Sequence, residues 1–229
     1  MARGSKFVRD LGIFLVLLCI AAVVYSRAAT APVALPNPAV DDTPAASGQQ
    51  TAVLAGGCFW GIQAVFEHVK GVVSVSAGYS GGAAGTANYE TVSEGTSGHA
   101  ESVEITYDPA RISYGQLLKV FFSVAHDPTE LNRQGPDTGT QYRSAIFYGN
   151  ENQQRIARAY IDQLNGAKVF PQRIVTQVTP LKGFYRAEAY HQDYLIHHPD
   201  NPYIVINDVP KIAHLHQQLP DLYVEKPKA

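Results

Sequence analysis

Two periods of apolar and polar residues recur along the chain, and they predict a mixture of helices and strands. In GIQAVFEHVKG, residues 61–71, apolar residues lie three or four positions apart, which predicts a helix that ends at the second glycine. In AESVEITYDP, residues 100–109, apolar and polar residues alternate, which predicts a strand followed by a turn. ENQQRIARAYIDQLNG, residues 151–166, has helical spacing again and also ends in glycine.

Other segments follow the same two periods. Strands are predicted in TAVLAGG, VVSVSAGYSGG, YRSAIFYGN and RIVTQVTP. Helices are predicted in SYGQLLKVFFSVAH, where Ser113 is a candidate cap, and in YRAEAYHQDYLIHH. Because strands and helices are mixed without strict alternation, we predict an α+β fold, a two-layer sandwich with helices packed on a mixed β-sheet.

The first 29 residues differ from the rest of the chain. MARGSKFVRD is basic, and the run from Leu11 to Ser26 carries no charge. The length of this run lies between a signal-peptide core of roughly 7–15 residues and a membrane span of roughly 20. We predict that residues 1–29 are a signal peptide or an N-terminal membrane anchor, with residues 11–26 as the possible anchor. The protein is then exported, either periplasmic or membrane-anchored with its domain outside the cytoplasm.

Composition divides the remainder into three parts. Residues 30–50 are rich in proline and alanine without an apolar period, which predicts a linker. Residues 51–200 carry the periodic segments and form the main domain. Residues 201–229 are a proline-punctuated C-terminal extension without cysteine, expected to lie over the domain surface.

Charge and composition exclude some classes of function. The chain has 229 residues, of which 45% are hydrophobic and 17% charged, so it can bury a sizeable core. Its formal net charge of −2, with both signs scattered, provides no basic block for nucleic acid.

The stretch AVLAGGCFWGIQAVF, residues 52–66, contains Cys58, the only thiol of the main domain. A cysteine at the first turn of a helix is close to unpaired N–H groups and the positive end of the helix dipole, which favour the thiolate. The glycines on both sides allow a tight turn and close approach of another molecule, and Phe59 and Trp60 can form the wall of a small apolar pocket. The alternative is that Cys58 is a buried small apolar residue, the more common role of a lone cysteine.

Other polar residues are candidates for the same site. GHAE brings Glu101 to the start of a strand, ANYETV presents Tyr89, and a long loop contains Asp137 and Tyr142. Taken singly, each also has a plain structural explanation, as a turn residue or as a core tyrosine with a solvated hydroxyl.

Five motifs, in this order, resemble the peptide methionine sulfoxide reductases of type A: GGCFWG, GYSGG, GHAESVEITYDP, HDPTELNRQGPDTGTQYRSAIFY and FYRAEAYHQDYL. The resemblance covers about residues 51–199 and makes residues 51–200 the catalytic domain. It implies protein repair under oxidative stress by reduction of the S epimer of methionine sulfoxide, in proteins or free. It also implies an α+β fold without metal or bound organic cofactor.

The resemblance assigns a role to each candidate residue. By match to the motifs, Cys58 is the nucleophile, Glu101 is the proton donor, and Tyr89, Asp137 and Tyr142 surround the sulfoxide oxygen. The chemistry is consistent with these residue types, because the oxygen must be protonated to leave and a buried Glu101 with a raised pKa holds a proton near neutral pH. The tyrosines can donate hydrogen bonds to the oxygen, and Phe59 and Trp60 can receive the methyl group.

The chain departs from the family in one respect. Many members resolve the sulfenic acid with a second cysteine in the C-terminal tail, and residues 201–229 contain none. The other cysteine, Cys19, lies in the N-terminal apolar run. We therefore expect the sulfenic acid on Cys58 to be reduced by an external partner, either a thioredoxin-like protein or a small thiol.

Two other functions are compatible with a lone cysteine. A cysteine hydrolase or acyltransferase would pair Cys58 with His99, His126 or His191 as its base. A peptide-binding module would use the same pocket without catalysis. A zinc site is disfavoured, because one cysteine and scattered histidines lack the spacing of metal ligands.

Overall fold

The computed structural model describes residues 35–42 and 48–225, and within them a six-stranded sheet forms the centre of the fold. The sheet has the order β7-β6-β1-β3-β2-β8, and β4 and β5 form a separate hairpin. The strands are β1 (Gln50–Gly56), β2 (Val72–Ser80), β3 (Ala100–Tyr107), β4 (Arg133–Gln134), β5 (Asp137–Thr138), β6 (Ser144–Tyr148), β7 (Gln177–Pro180) and β8 (Phe184–Arg186).

Seven α-helices accompany the sheet in the described part of the chain. They are α1 (Phe59–Glu67), α2 (Tyr89–Ser93), α3 (Tyr114–Val120), α4 (Glu151–Gly166), α5 (Tyr194–His197), α6 (Pro202–Asn207) and α7 (Val209–Gln218). Helix α3 continues into a π-helical turn, Phe121–Ala125, and single 3₁₀ turns lie at Ala84–Thr86, Thr140–Tyr142 and Ala189–His191.

The sheet is mixed, because β6 and β7 run parallel while the other neighbours are antiparallel. The alternation of side chains in β1 gives the sheet two apolar faces: Leu54 belongs to the large core, and Val53 belongs to a smaller cluster with Phe147. Helix α1 packs against β2 and β3, and α4 packs against β6 and β7. The predicted α+β fold with helices on a mixed sheet is confirmed.

Caps explain where the longer helices begin. The Ser113 hydroxyl accepts from the Gln116 N–H while the Gln116 side chain accepts from the Ser113 N–H, so α3 starts with the expected cap in a reciprocal capping box. The Asn150 side chain accepts from the Gln153 N–H at the start of α4. Helix α4 spans the segment that the apolar spacing predicted.

The prediction of one continuous helix over residues 185–198 is wrong, because only a 3₁₀ turn, Ala189–His191, and the short α5, Tyr194–His197, are helical there. The first residues of this segment belong to β8, whose Tyr185 pairs with Tyr79 of β2. The Gln192 side chain then donates to the Ala77 carbonyl and accepts from the Ala77 N–H, both at 3.0 Å. Through this pairing with the edge of β2, backbone N–H and C=O groups of both segments are hydrogen-bonded. These tertiary hydrogen bonds outweigh the helical spacing of the apolar residues.

Residues 35–42, in the predicted linker, are packed on the domain instead of forming a free spacer. Leu35 is buried in the main core, and the Tyr160 hydroxyl donates to the Pro36 carbonyl at 2.8 Å. The Asp41 carboxylate accepts from the Ser113 hydroxyl at 2.5 Å and from the Gly115 N–H at 2.8 Å. The folded unit therefore begins before residue 51 and includes a segment, residues 35–42, that covers the start of α3.

The boundary predicted at residue 200 is also not a boundary in the fold. Helix α7 packs against α1, and Ile204, Asp208 and Leu215 are all fully buried. Tyr223 forms an isolated bridge with Val69 at the end of α1. Residues 201–225 are part of the same domain.

The predicted leader, residues 1–29, lies outside the described residues. Among the helices of residues 35–42 and 48–225, none is long and apolar enough to cross a membrane.

We expect Asp41→Ala to lower the free energy of unfolding by about 1–2 kcal/mol, because the Ser113 hydroxyl and the Gly115 N–H both lose a charged acceptor. Urea unfolding followed by circular dichroism measures the change. Asp200→Ala, at an exposed position, is the matched control and should have little effect. Equal stability of Asp41→Ala and wild type would show that the Asp41 contacts do not stabilise the start of α3.

Candidate active site

Cys58 lies at the turn between β1 and α1, in the N-cap position of the helix. Gly57 precedes it with φ of +98°, and a Cβ on Gly57 would lie 2.6 Å from Cβ of Gln134. Glycine is therefore required both for the turn and for the close approach of the β4–β5 hairpin. Cys58 is 7% exposed.

Glu101 lies on β3 and reaches the same helix start. Its Oε2 accepts a hydrogen bond from the Phe59 N–H at 3.0 Å, one of the N–H groups that a helix leaves unpaired. Burial raises the pKa of Glu101 to about 8. The hydrogen bond from Phe59 favours the ionised carboxylate, but burial and the charges of Asp137 and Asp208 oppose ionisation and outweigh it. At neutral pH the carboxyl is protonated, as the sequence analysis expected of an acid at this position.

The ionisation of Cys58 itself differs from expectation. Burial raises the pKa of the thiol well above its usual value, and the charges of Glu101 and Asp208 raise it further. The helix start alone was expected to favour the thiolate, but desolvation in the protein without substrate is the larger effect. Since Glu101 is neutral below pH 8, its opposition to the thiolate applies only at higher pH.

An aromatic wall lies beside the cysteine. Trp60 stacks on Tyr194 with ring centroids 3.8 Å apart, and its Nε1–H donates to Nδ1 of His191 at 3.2 Å. Phe59 is buried with its ring centroid 5.1 Å from that of His191. These contacts hold the rings of Phe59 and Trp60 in fixed positions next to the cysteine.

Tyr89 and Tyr142 are half-buried and close to the same charges. Burial raises the pKa of both hydroxyls, and the charges of Glu101 and Cys58 raise them further. Both hydroxyls are therefore protonated and can act as hydrogen-bond donors. Glu188 holds the start of α2 in place, because its carboxylate accepts from the Tyr89 N–H at 2.9 Å.

Asp137 is tied to the C-terminal helices. Its Oδ2 accepts a hydrogen bond from the Tyr203 hydroxyl of α6. Asp137 and Tyr203 line a pocket of about 310 Å³ together with Cys58. The structure thus brings together all the residues that the sequence analysis placed at the site.

Two of the three candidate histidine bases have no free nitrogen. The Phe121 carbonyl, which can only accept, lies 3.1 Å from Nδ1 of His126, so Nε2 is the nitrogen that accepts from the Ser144 hydroxyl at 2.7 Å. Burial also lowers the pKa of His126 to about 3. His99 accepts from the Gly82 N–H and donates to the Ala83 carbonyl.

The third histidine, His191, has one ring nitrogen in a hydrogen bond, while its Nε2 is buried without a partner among the described residues. Because the Trp60 indole can only donate, Nδ1 of His191 is the acceptor and Nε2 carries the proton. In all three histidines the ring nitrogen that can accept already has a donor within the protein. The arrangement removes the base that a cysteine hydrolase would need.

Several residues of the site were not predicted from the sequence. Tyr194 and Glu188 lie in a segment predicted as one helix, and Tyr203, Asp208 and Lys211 lie in the C-terminal extension. The available signal was Pro202 after Asn201, which indicates a helix start in the extension, and the Asn201 side chain does cap α6.

The fold and the site together define a cysteine-dependent enzyme with a protonated carboxylic acid beside its nucleophile. A comparison with known protein families finds a match over residues 50–222 to the family described as peptide methionine sulfoxide reductase. The chain belongs to this family.

Named relatives and solved structures agree with this assignment. The chain is 61% identical to peptide methionine sulfoxide reductase MsrA 2 of Mesorhizobium japonicum over 186 residues, 81% of this chain and 95% of that protein. It is 54% identical to MsrA 2 of Synechocystis sp. over 190 residues, 82% of this chain and 89% of that protein. Methionine sulfoxide reductase A of Corynebacterium diphtheriae is similar in structure, with a TM-score of 0.59 and 35% identity over 73% of this chain and 87% of that chain.

The raised pKa of Glu101 predicts a pH-dependent cost to stability. Between pH 4.5 and about 8 the folded protein retains a proton that the unfolded chain has lost, so this group makes the free energy of unfolding fall as pH rises through that window. Glu101→Gln keeps an acceptor for the Phe59 N–H and removes the titration. We expect the free energy of unfolding of the variant, relative to wild type, to increase from pH 4.5 to about 8. Above about pH 8 the difference stays constant.

Urea unfolding from pH 4.5 to 9 tests this expectation. Glu94→Gln, at an exposed position, is the control and should follow wild type at every pH. Parallel stability curves for Glu101→Gln and wild type would show that Glu101 is ionised in the folded protein at neutral pH.

Proposed function

We propose that this protein is a peptide-methionine (S)-S-oxide reductase, which reduces the S epimer of methionine sulfoxide in proteins and as the free amino acid. The observation that carries this proposal is the Glu101 carboxyl on the Phe59 N–H, because it places a buried, protonated acid beside the Cys58 thiol. Membership of the family and the high identity to two MsrA 2 proteins support the same activity.

The reaction needs one nucleophile and one proton donor. The Cys58 thiolate attacks the sulfoxide sulfur, and the oxygen takes the proton of Glu101 as negative charge develops on it. The new sulfur–sulfur bond then breaks as the hydroxyl passes from the substrate sulfur to Cys58, so methionine leaves as the thioether and Cys58 becomes a sulfenic acid. Hydrogen bonds from the Tyr89 and Tyr142 hydroxyls to the oxygen stabilise the transition state, typically by a few kcal/mol.

Substrate recognition uses the aromatic wall. The methyl group and sulfur of the substrate pack on Phe59 and Trp60, contacts that sulfur makes favourably with aromatic rings. The stacking of Trp60 on Tyr194 and its hydrogen bond to His191 keep the indole in one orientation, so little side-chain freedom is lost on binding.

Recycling uses an external thiol. Cys58 is the one free cysteine within residues 35–42 and 48–225, so a second thiol in the described part of the domain is not available. A thiol from a thioredoxin-like protein or a small molecule displaces water from the sulfenic acid to form a mixed disulfide. A further thiol then releases Cys58 and leaves as the oxidised disulfide. The pocket of about 310 Å³ gives such a thiol a path to the sulfur.

We propose that the domain works outside the cytoplasm, exported by residues 1–29. The support is the basic start followed by the uncharged run from Leu11 to Ser26. Fractionation of cells that make the native protein, with mass spectrometry of its N-terminus, tests the location and shows whether residues 11–26 are retained as an anchor. Recovery from the cytoplasmic fraction would overturn the proposal.

We expect Cys58→Ser to abolish thiol-dependent reduction of the S sulfoxide while the fold is kept, because a serine hydroxyl is scarcely ionised and far less nucleophilic. Release of methionine from the purified S epimer, with excess dithiothreitol, is the measurement. Remaining turnover above the background without enzyme would contradict the assignment.

Glu101→Gln tests the proton donor in the same assay. It should lower kcat by about tenfold or more with a smaller change in KM, since the amide keeps the shape and lacks an acidic proton. A rate within about threefold of wild type would mean that another group supplies the proton.

A single turnover without thiol should release about one methionine per enzyme and stop at a sulfenic acid on Cys58, which a dimedone probe traps. Cys19→Ala should leave the trapped fraction unchanged, because that residue belongs to the predicted leader. A disulfide between the two cysteines, or an increase in trapping in Cys19→Ala, would show that the leader takes part in recycling.

A further inference from the structure

A partly buried ion pair joins the start of α7 to the active site. Nζ of Lys211 lies 3.0 Å from Oδ1 of Asp208, and the Asp208 side chain is fully buried. Oδ2 of Asp208 has no hydrogen-bond partner among the described residues. The pair therefore depends on a single contact, and the charge of Asp208 has no other nearby compensation.

The pair lies against the first turn of α1. A Cβ on Gly61 would be 2.0 Å from Oδ1 of Asp208 and 2.9 Å from Nζ of Lys211. Gly61 is the third residue after Cys58, so the ammonium is held within about one helical turn of the cysteine. Only glycine at position 61 leaves room for this approach.

Lys211 also lines the pocket of about 310 Å³ that contains Cys58. Three acidic residues, Asp127, Glu130 and Asp137, line the same pocket. Among the described residues that form its wall, Lys211 alone carries a permanent positive charge, since the nearby His126 is neutral with its pKa lowered to about 3.

Charged and titratable groups face Cys58 from several elements. Glu101 on β3 and Asp208 at the start of α7 oppose the thiolate, while Lys211 and a hydrogen bond from the Trp60 N–H favour it. The remaining titratable groups close to the sulfur or its pocket are Tyr89, His126, Asp127, Glu130, Asp137, Tyr142 and Tyr203. Acidic groups dominate this set, so removal of the one lysine leaves no permanently cationic side chain in the pocket of the sulfur.

We propose that Lys211 is a positioning residue for the nucleophile: Asp208 holds its ammonium at the first turn of α1, where it favours the charged form of the Cys58 sulfur. This inference deepens the proposed function. It rests on that function for one premise, that the attacking group is the Cys58 thiolate. It assigns an electrostatic role to the C-terminal segment of this chain, which has no cysteine to resolve the sulfenic acid.

The competing explanation is that Lys211 only compensates the buried charge of Asp208. Both explanations predict lower stability when Lys211 is replaced, so stability cannot distinguish them. They differ in the reactivity of Cys58, because a purely structural lysine leaves the ionisation of the sulfur unchanged.

The test is the pH dependence of Cys58 alkylation by iodoacetamide, a neutral probe, in the full chain carrying Cys19→Ala. Lys211→Gln removes the charge and keeps a donor for Asp208. We expect its midpoint to rise by about half to one pH unit, which lowers the thiolate fraction about three- to tenfold below the midpoint. Since a more basic thiolate is intrinsically more nucleophilic, the observed rate should fall about two- to fourfold.

Lys211→Arg is the charge-preserving variant and should keep the wild-type profile. Lys70→Met removes an exposed lysine elsewhere and should also keep it. The same comparison in the Glu101→Gln background removes the titration of Glu101 from the profile. If Lys211→Gln does not fold by circular dichroism, Lys211→Met takes its place in the same measurement.

A Lys211→Gln profile that superimposes on wild type would overturn the proposal, and so would an equal shift in Lys211→Arg. Alkylation involves no sulfoxide. A protein inactive as a reductase could still show the shift, and an active reductase could lack it, so the failure of this inference is distinct from failure of the proposed function.

Discussion

The hydrogen bond from the Phe59 N–H to the Glu101 carboxyl is the contact on which the active site depends. It joins the first turn of α1 to the start of β3, and thereby sets the proton donor beside the nucleophile without a flexible loop between them. A helix start leaves unpaired N–H groups that need an acceptor, and a buried carboxyl needs a donor. One hydrogen bond meets both requirements, so the same contact stabilises the fold and positions the catalytic groups.

The cost of this arrangement is the burial of several acids in a small volume. Glu101, Asp208 and the Cys58 thiol all have raised pKa values, with desolvation as the main cause in each case. Glu101 responds by holding its proton at neutral pH, which is the state that protonates the sulfoxide oxygen. Asp208 instead pairs with Lys211 and places a positive charge in the pocket of the cysteine. Burial thus gives two carboxyl groups of similar intrinsic acidity different roles.

Two segments outside the central motifs complete the domain. Asp41 in residues 35–42 accepts hydrogen bonds at the start of α3. Helix α7 covers α1, and α6 brings Tyr203 to Asp137. Both segments act through polar contacts between residues far apart in the chain. The family match includes the second segment, because it extends to residue 222, past the last of the recognised motifs, whereas residues 35–42 lie before its start at residue 50.

Much of this protein could be predicted from its sequence. Apolar spacing located most strands and α4, and the motifs around Cys58, Glu101 and Tyr142 identified the family, because both are properties of local residue order. Other features could be decided only by tertiary structure: β8 in place of a helix, the packed residues 35–42, the hydrogen bonds of the histidines, and the ionisation of Cys58. These depend on which distant groups are brought into contact and on how much water is excluded between them. A cysteine at a helix start is predicted to be a thiolate by its neighbours in sequence, whereas its desolvation is set by β3, α6 and α7, which pack around it only in the folded chain.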